Sequence, residues 1–226
     1  MPAPTLPAAQ LARLIDFPLH RADATVADVE RHCDLARELG LAAVAVNSGY
    51  VAHARHFLDG TDVKVVAAIG FPLGGMDPDS KRYETEVAVD NGAQEIDVVM
   101  NIGRFKSGED AFVRRELRDV AEAADERIVK VILETSLLTN EEKRRAAALV
   151  VDSGAHFVKT STGFSTGGAT VSDVALLREA VGPGFGVKAS GGIRDYATAM
   201  ALLAAGANRL GTSSAAAILR GAAGGN

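Results

Sequence analysis

The chain has 226 residues, of which 47% are hydrophobic and 23% charged, and its formal net charge is −5. This length is enough for one sizeable core and short for two domains, and the composition is typical of a soluble globular protein. The negative charge argues against general binding of nucleic acid, and a single cysteine, Cys33, excludes a disulfide framework and a cysteine-based zinc site. Because no apolar run could cross a bilayer and the first residues lack a secretory signal, we expect a cytoplasmic protein without nucleic-acid or membrane partners.

Strand-like and helix-like segments alternate along the sequence. The predicted strands are Leu14–Phe17, Ala42–Asn47, Val63–Gly70, Gln94–Asn101, Ile128–Glu134, His156–Thr160, Gly186–Ser190 and Arg209–Thr212. The predicted helices cover residues 26–39, 49–58, 79–91, 108–125, 140–153, 171–181, 194–205 and 213–220. Eight β-then-α units of roughly 25–30 residues predict an α/β fold, a single-domain (β/α)8 TIM barrel over residues 1–226, with a frayed tail at 221–226. An open, doubly wound sheet is the structural alternative.

Function in such barrels gathers at the C-terminal ends of the strands. The polar residues predicted at those ends are Asp16, Asn47, Asp97, Asn101, Glu134, Lys159, Lys188 and Ser213. This set converges on one face of the predicted barrel and is the candidate site.

Two lysines, Lys159 and Lys188, end consecutive predicted strands in matching Val-Lys-x-Ser contexts. Neighbouring strands run ~4.8 Å apart, so two inward-pointing ammonium groups would repel by ~4 kcal/mol at an effective dielectric of 20. That repulsion would bring the pKa of one lysine toward ~7 and make it a nucleophile for a carbonyl carbon. The few acids beside these lysines in the sequence favour this interpretation over lysines that reach solvent or pair with acids.

Strand alternation places Glu95, Asp97 and Val99 on one face. Asp97 is a candidate proton shuttle or lysine partner, with a structural salt bridge as the alternative. Lys64 and Lys130 lie early in their strands, so we expect them below the catalytic face as structural residues that pair with Glu95.

Glycine-rich and hydroxyl-rich loops follow the last three predicted strands. They are Ser161-Thr162-Gly163, Ser190-Gly191-Gly192 and Gly211-Thr212-Ser213-Ser214. In barrels, such loops and a helix N-terminus often bind a phosphate group, although ordinary tight turns are the alternative. The histidines are scattered, and His53 and His56 lack a third ligand at suitable spacing, so we expect them on the surface and predict no metal site.

These segments resemble the class I, Schiff-base-forming deoxyribose-phosphate aldolase family over nearly the whole chain. The segments that carry the resemblance are Ile69-Gly70-Phe71-Pro72-Leu73-Gly74, Glu95-Ile96-Asp97-Val98-Val99-Met100-Asn101-Ile102-Gly103, Phe157-Val158-Lys159-Thr160-Ser161-Thr162-Gly163-Phe164, Val187-Lys188-Ala189-Ser190-Gly191-Gly192-Ile193-Arg194 and Gly211-Thr212-Ser213-Ser214.

The resemblance implies reversible cleavage of 2-deoxy-D-ribose 5-phosphate to acetaldehyde and D-glyceraldehyde 3-phosphate, without a cofactor and with a homo-oligomer possible. By motif position, Lys159 takes the Schiff-base role, Lys188 that of the second lysine and Asp97 that of the acid/base aspartate. The resemblance also implies a phosphate site and a substrate pocket, formed respectively by Gly163, Gly191, Gly192, Ser213 and Ser214, and by Asp16, Asn47 and Thr160.

The chain departs from the family pattern at two pocket edges. Many relatives read Asp-His-Thr-Leu-Leu where this chain reads Asp16-Phe17-Pro18-Leu19-His20, and Pro-Cys where it reads Ser48-Gly49. These departures concern substrate preference and rate more than reaction type. The alternative functions are another phosphosugar barrel enzyme, such as an isomerase or epimerase, and a non-catalytic phosphosugar-binding barrel.

Overall fold

The computed structural model describes residues 6–223, which form a closed barrel of eight parallel strands in sequence order. The strands are β1 Ile15–Leu19, β2 Ala43–Asn47, β3 Lys64–Ile69, β4 Glu95–Val99, β5 Ile128–Ile132, β6 Phe157–Lys159, β7 Gly186–Ser190 and β8 Arg209–Gly211. The α-helices in this range are α1 Ala8–Ala12, α2 Val26–Glu38, α3 Val51–Phe57, α4 Pro78–Asp90, α5 Ile102–Lys106, α6 Asp110–Ala123, α7 Asn140–Val151, α8 Val171–Val181, α9 Tyr196–Ala204 and α10 Ala215–Ala223. The predicted single-domain TIM barrel is confirmed. The open sheet is wrong because β1 pairs with β8.

The ends of several elements differ from the prediction. Helix α10 continues to Ala223, three residues beyond its predicted end, and residues 224–226 of the predicted frayed tail lie outside the described range. Gly221 explains the continuation, because it packs so closely on α9 that a Cβ atom there would lie 2.7 Å from Tyr196 Cβ. The sequence analysis also missed α1 and α5. Helix α5 begins where Asn101 caps it, its Oδ1 accepting a hydrogen bond from the Arg104 amide at 3.1 Å.

The two faces of the barrel sheet differ in chemistry. Outward side chains such as Val44, Ile96 and Val131 join the large apolar core between the sheet and the helices. Cys33 of α2 is buried in that core. The inward face carries small residues on β2, Ala43 and Ala45, and these leave room for long charged side chains from other strands.

Strand register determines which charged residues meet inside the barrel. Lys159 of β6 pairs in register with Lys188 of β7, and Asp97 of β4 with Lys130 of β5. Residues paired in register point to the same face of a sheet, so all four side chains enter the interior. No helix among residues 6–223 is both long and apolar enough to cross a membrane.

Candidate active site

A buried network of charged side chains fills the barrel beneath its C-terminal rim. Its members are Asp16, Glu95, Asp97, Lys130, Lys159, Lys188 and Arg209. The most exposed of these side chains, Arg209, is only 15% accessible. The network holds four bases and three acids, so full ionisation would leave one uncompensated positive charge. Because such a charge is costly in a low-dielectric interior, one base is expected to be neutral.

Lys159 is the base that the geometry selects. Its Nζ and that of Lys188 both donate hydrogen bonds to Oδ2 of Asp97, each at 2.7 Å, so the two amines are at most 5.4 Å apart. The pKa of Lys159 is lowered to about 8, because burial, and to a lesser degree the charge of Lys188, outweigh the opposing effect of Asp97. A nucleophilic amine at neutral pH follows from this arrangement.

The physical cause of the Lys159 shift differs from the predicted one. The predicted cause was repulsion between two lysines with few acids nearby. In the structure, burial is the largest cause of the lowered pKa of Lys159. Asp97 and Asp16 are also in direct contact with the lysine pair. Both aspartates come from distant strands, β4 and β1. The residues near the two lysines in sequence therefore underestimate the number of acids that surround them in the fold.

Lys130 also departs from its predicted place. Its Nζ contacts Glu95 Oε2 at 2.6 Å, as expected, but it also lies 2.9 Å from Asp97 Oδ1 and 3.8 Å from Asp16 Oδ2. The lysine is therefore a member of the network and not a separate lower layer. Its long side chain rises from a position paired in register with Asp97. Lys64, by contrast, is exposed at the start of β3.

The acids of the network are held ionised by its cations. Burial alone would raise the pKa of Asp97, but Lys130, Lys159 and Lys188 outweigh burial and hold it well below its usual value. The pKa of Asp16 is lowered to about 2 in the same way, since the cations, Lys188 first among them, outweigh burial. For Lys130, burial opposes protonation, yet the neighbouring carboxylates raise its pKa.

A cavity of about 590 Å³ opens above this network, between the loops that follow β1, β6, β7 and β8. The predicted site residues that line it are Asp16, Lys159, Gly163, Lys188, Gly191, Gly192, Ser213 and Ser214. Asp97 lies just below the lining and is 1% exposed. The cavity therefore brings the two lysine amines and the glycine loops together.

Asn47 and Thr160 are not among the residues that line this cavity, and their predicted place in the substrate pocket stays a prediction. Asn47 donates a hydrogen bond through Nδ2 to the His20 carbonyl at 3.4 Å. The Thr160 hydroxyl donates to the Ser190 carbonyl and accepts from the Ser190 amide, both at 3.1 Å. Both residues therefore hydrogen-bond to loop segments that border the cavity.

The loops after β6 and β7 are in direct contact through their backbones. Gly163 and Gly191 have φ values of +85° and +89°, which favour glycine. A Cβ atom on Gly168 would lie 2.3 Å from the Gly191 carbonyl oxygen, and the Ser190 hydroxyl donates to the Ser161 carbonyl. The resulting wall of backbone amides and hydroxyls lines the cavity next to the lysines.

We expect Gly168→Ala to destabilise the fold by ~1–3 kcal/mol, because the new methyl group must push the Gly191 loop away. Gly184→Ala is the matched control, since a Cβ atom there has no neighbour within 4 Å. Urea unfolding of the two variants tests the prediction. Equal midpoints would mean that the loops are not in close contact.

The N-terminus of α10 completes the cavity wall. Ser213 and Ser214 precede the helix, and the Ser214 carbonyl accepts the Ile218 amide at 3.0 Å. The Thr212 hydroxyl accepts from the Ser214 amide at 2.9 Å and donates to the Ile193 carbonyl at 2.6 Å. Free amides at a helix N-terminus carry partial positive charge, so this end of the cavity suits an anion.

His20, Phe164 and Arg194 also line the cavity, although no individual role was predicted for them. Strand alternation offered a signal for His20, because the face that holds Asp16 also holds residues 18 and 20. Phe164 and Arg194 belong to loops that strand periodicity does not describe. Glu134, predicted only as a polar strand end, accepts a hydrogen bond from the Thr162 amide at 3.2 Å and so braces the β6 loop.

The histidines away from the cavity agree with the surface interpretation. His53 and His56 are exposed on α3.

Comparison with known proteins identifies the family. The sequence profile described as DeoC/LacD family aldolase matches residues 15–224. The chain belongs to this family. It is 53% identical over 212 residues to deoxyribose-phosphate aldolase of Geobacillus sp. (strain WCH70), covering 93% of this chain and 95% of the relative. It is also 53% identical to the enzyme of that name from Alkaliphilus oremlandii (strain OhILAs), covering 92% and 95%.

A solved structure agrees with this membership. Deoxyribose phosphate aldolase from Aeropyrum pernix superposes with a TM-score of 0.88 at 34% identity, covering 94% of this chain and 91% of that one. That protein is described as tetrameric. The DeoC/LacD relationship makes the chain an enzyme, an aldolase with a TIM-barrel fold, and confirms the resemblance found in the sequence.

Proposed function

We propose that this aldolase reversibly cleaves 2-deoxy-D-ribose 5-phosphate to acetaldehyde and D-glyceraldehyde 3-phosphate through a Schiff base on Lys159. The observation that carries the proposal is the charge balance of the buried network. Four bases share three acids, and the pKa of Lys159 is lowered to about 8 beside an accessible cavity. An amine held in this way supports attack on an aldehyde carbon.

The phosphate of the substrate would bind at the wall formed by the β6, β7 and β8 loops. The amides around Gly163, Gly191 and Gly192, with Ser213 and Ser214 before α10, supply donors and the positive end of the helix. This arrangement points the other end of the open-chain sugar, its aldehyde, toward the lysine amines. Asp16 forms part of the cavity floor beneath.

The first chemical step is addition of neutral Lys159 to C1 of the open-chain sugar. The carbinolamine takes up a proton from solvent and loses water to become an iminium, which again places an excess positive charge in the network. Breaking the C2–C3 bond sends its electron pair to the iminium nitrogen and gives a neutral enamine. The C3 hydroxyl gives up its proton in the same step, so the positive charge passes from the nitrogen to the group that accepts this proton.

Proton transfer belongs to the Asp97–Lys188 pair, acting through a water molecule. The pair accepts the proton of the C3 hydroxyl as glyceraldehyde 3-phosphate forms, and later returns a proton to C2 of the enamine. Hydrolysis of the resulting iminium consumes the water released earlier and frees acetaldehyde and Lys159. Asp97 is a weak base while three ammonium groups surround it, so loss of the Lys159 proton is what prepares it for this role.

The pH dependence of imine formation follows from Lys159. With its pKa at about 8, roughly a tenth of the amine is unprotonated at pH 7 and half at pH 8, so trapping of acetaldehyde by borohydride should rise with pH around a midpoint of about 8. Lys188→Leu removes a repelling cation and leaves Asp97 to pair more closely with Lys159. In Lys188→Leu we therefore expect the midpoint of the rise in trapping to shift to a pH roughly one unit higher.

The exposed Lys64→Leu variant is the control for this shift, and its profile should match that of the parent protein. An unchanged profile for Lys188→Leu would show that Lys188 does not influence the reacting amine.

A coupled assay for glyceraldehyde 3-phosphate tests the proposed reaction. Incubation with 2-deoxy-D-ribose 5-phosphate should release equal amounts of acetaldehyde and glyceraldehyde 3-phosphate. An isomerase or epimerase would change the sugar without releasing acetaldehyde, and a binding protein would leave it intact. Either result would reject the proposal.

Assembly and location are further proposals. We propose a homo-oligomer, since the relative from Aeropyrum pernix is described as tetrameric. The cytoplasmic location remains a prediction from the sequence.

A further inference from the structure

His20 occupies a cavity position that the mechanism above does not use. It follows β1 on the inward face that also carries Asp16, and its side chain lines the cavity together with Lys159. Its ring packs against Phe71, with centroids 4.5 Å apart and planes inclined by 42°. Asn47 donates to its carbonyl at 3.4 Å, so both its backbone and its ring are held.

The ring nitrogen Nδ1 of His20 has no hydrogen-bond partner within residues 6–223 and no contact with solvent. An unpaired polar atom held away from water costs free energy, and native proteins retain few of them without a reason. For a histidine that packs on an aromatic ring at the edge of the cavity, binding of a substrate group is a reason of this kind. A bound molecule, or a small ring movement on binding, would supply the missing partner.

The protonation state of His20 determines which chemical groups of a bound molecule it can hydrogen-bond. Burial, and then the nearby Lys159, lower the pKa of His20 to about 3, so the ring is neutral near pH 7. A neutral imidazole offers one donor and one acceptor, which suits a hydroxyl group better than a phosphate. The wall suited to phosphate also lies on other loops, around Gly191 and Ser213.

The substrate presents two hydroxyls between the imine carbon and the phosphate. The C3 hydroxyl loses its proton in the reaction and must face the Asp97–Lys188 pair at the cavity floor. The C4 hydroxyl does not react and lies between the floor and the phosphate wall. His20, above Asp16 on the same strand face, is placed for this second hydroxyl.

We propose that His20 is a specificity-determining residue that hydrogen-bonds the C4 hydroxyl of the sugar, which is the C2 hydroxyl of the released glyceraldehyde 3-phosphate. This inference rests on the proposed function. This chain should therefore distinguish hydroxylated from deoxygenated acceptors.

The test uses the condensation direction, with acetaldehyde as donor and two acceptors. These are D-glyceraldehyde 3-phosphate and 3-phosphooxypropanal, which differ only in the hydroxyl in question. We expect His20→Leu to lower the ratio of their kcat/KM values about five- to tenfold, and His20→Asn, which keeps a polar group near Nδ1, to recover part of it. Measuring both acceptors on one preparation cancels any loss of folded enzyme.

The outcomes separate this proposal from the one on which it rests. An unchanged ratio in His20→Leu, or an equal loss on both acceptors, would overturn the role of His20 while leaving the aldolase reaction intact. Failure of the parent protein to condense acetaldehyde with either acceptor would overturn the proposed function and, with it, the role of His20.

Discussion

Replacing Lys159 by alanine is expected to lower the rate of 2-deoxy-D-ribose 5-phosphate cleavage by about 10⁴- to 10⁶-fold, the range seen when a covalent nucleophile is removed. Among the lysines of the network, Lys159 combines a lowered pKa with a place on the cavity wall. Without its amine no imine forms, and the electrons of the C2–C3 bond have no acceptor. Steady-state kinetics with the coupled assay measure the loss.

The fold of Lys159→Ala should be retained. The substitution removes a base from a network that has one base too many, and Asp97 keeps contacts with Lys130 and Lys188. Lys64→Ala, in an exposed lysine of β3, is the matched control and should keep full activity. Activity within tenfold of the parent in Lys159→Ala would mean that another group is the nucleophile.

Asp97→Asn should have the second-largest effect, because it acts on both activity and stability. The neutral amide leaves Lys130, Lys159 and Lys188 without their shared acid. Removing one partner from a buried ionic network costs ~3–5 kcal/mol, and loss of the acid/base group costs about 10²- to 10⁴-fold in rate. Urea unfolding and steady-state kinetics measure the two effects separately.

The stability loss in Asp97→Asn has a defined pH dependence. The pKa of Asp97 is depressed in the folded protein. The contribution of its charge to the free energy of unfolding is therefore fully present above the unfolded pKa of ~3.9, and it is lost as the pH falls through the lower pKa of the folded state. The difference between parent and variant should therefore shrink under acid conditions. A difference that stays constant down to strongly acidic pH would show that Asp97 does not act through its charge.

Asp173→Asn is the control for these two effects. It breaks a buried pair of similar length, with Lys143 Nζ and Asp173 Oδ1 2.6 Å apart, between α7 and α8 outside the barrel. This variant should lose stability while each folded molecule remains active. If Asp173→Asn lost as much activity per folded molecule as Asp97→Asn, the lower rate of Asp97→Asn would reflect a general loss of stability and not the loss of an acid/base group.

Local sequence pattern accounts for the barrel and for part of its site. The order of the eight strands could be read from apolar runs and turn glycines, and alternation placed Asp97 on the same face as Glu95, which the structure shows to be the inward face. Helix α5 was missed because the apolar run of β4 continues into Asn101, which caps a helix instead of ending a strand. Periodicity detects elements well, but it does not mark where a cap interrupts them.

The buried network could not be predicted because it depends on contacts between distant strands. Asp16 and Lys188 are 172 residues apart, and Lys130 reaches Asp97 only through the register of β4 and β5. Asn47 and Thr160 show a related effect, because the hydrogen bonds that their side chains make to the His20 and Ser190 carbonyls follow from loop positions and not from strand pattern. Side-chain direction at strand ends is decided by the loops, which vary too much for a simple pattern.

Mass mapping of a reduced acetaldehyde adduct tests the central claim most directly. The protein is incubated with acetaldehyde and sodium borohydride near pH 8, digested, and its modified peptide is sequenced by tandem mass spectrometry. We predict one ethyl group per chain, carried by the Lys159 side chain and absent from Lys159→Ala. An ethyl group on Lys188 or Lys130 in its place, or equal labelling of Lys159→Ala, would contradict the account.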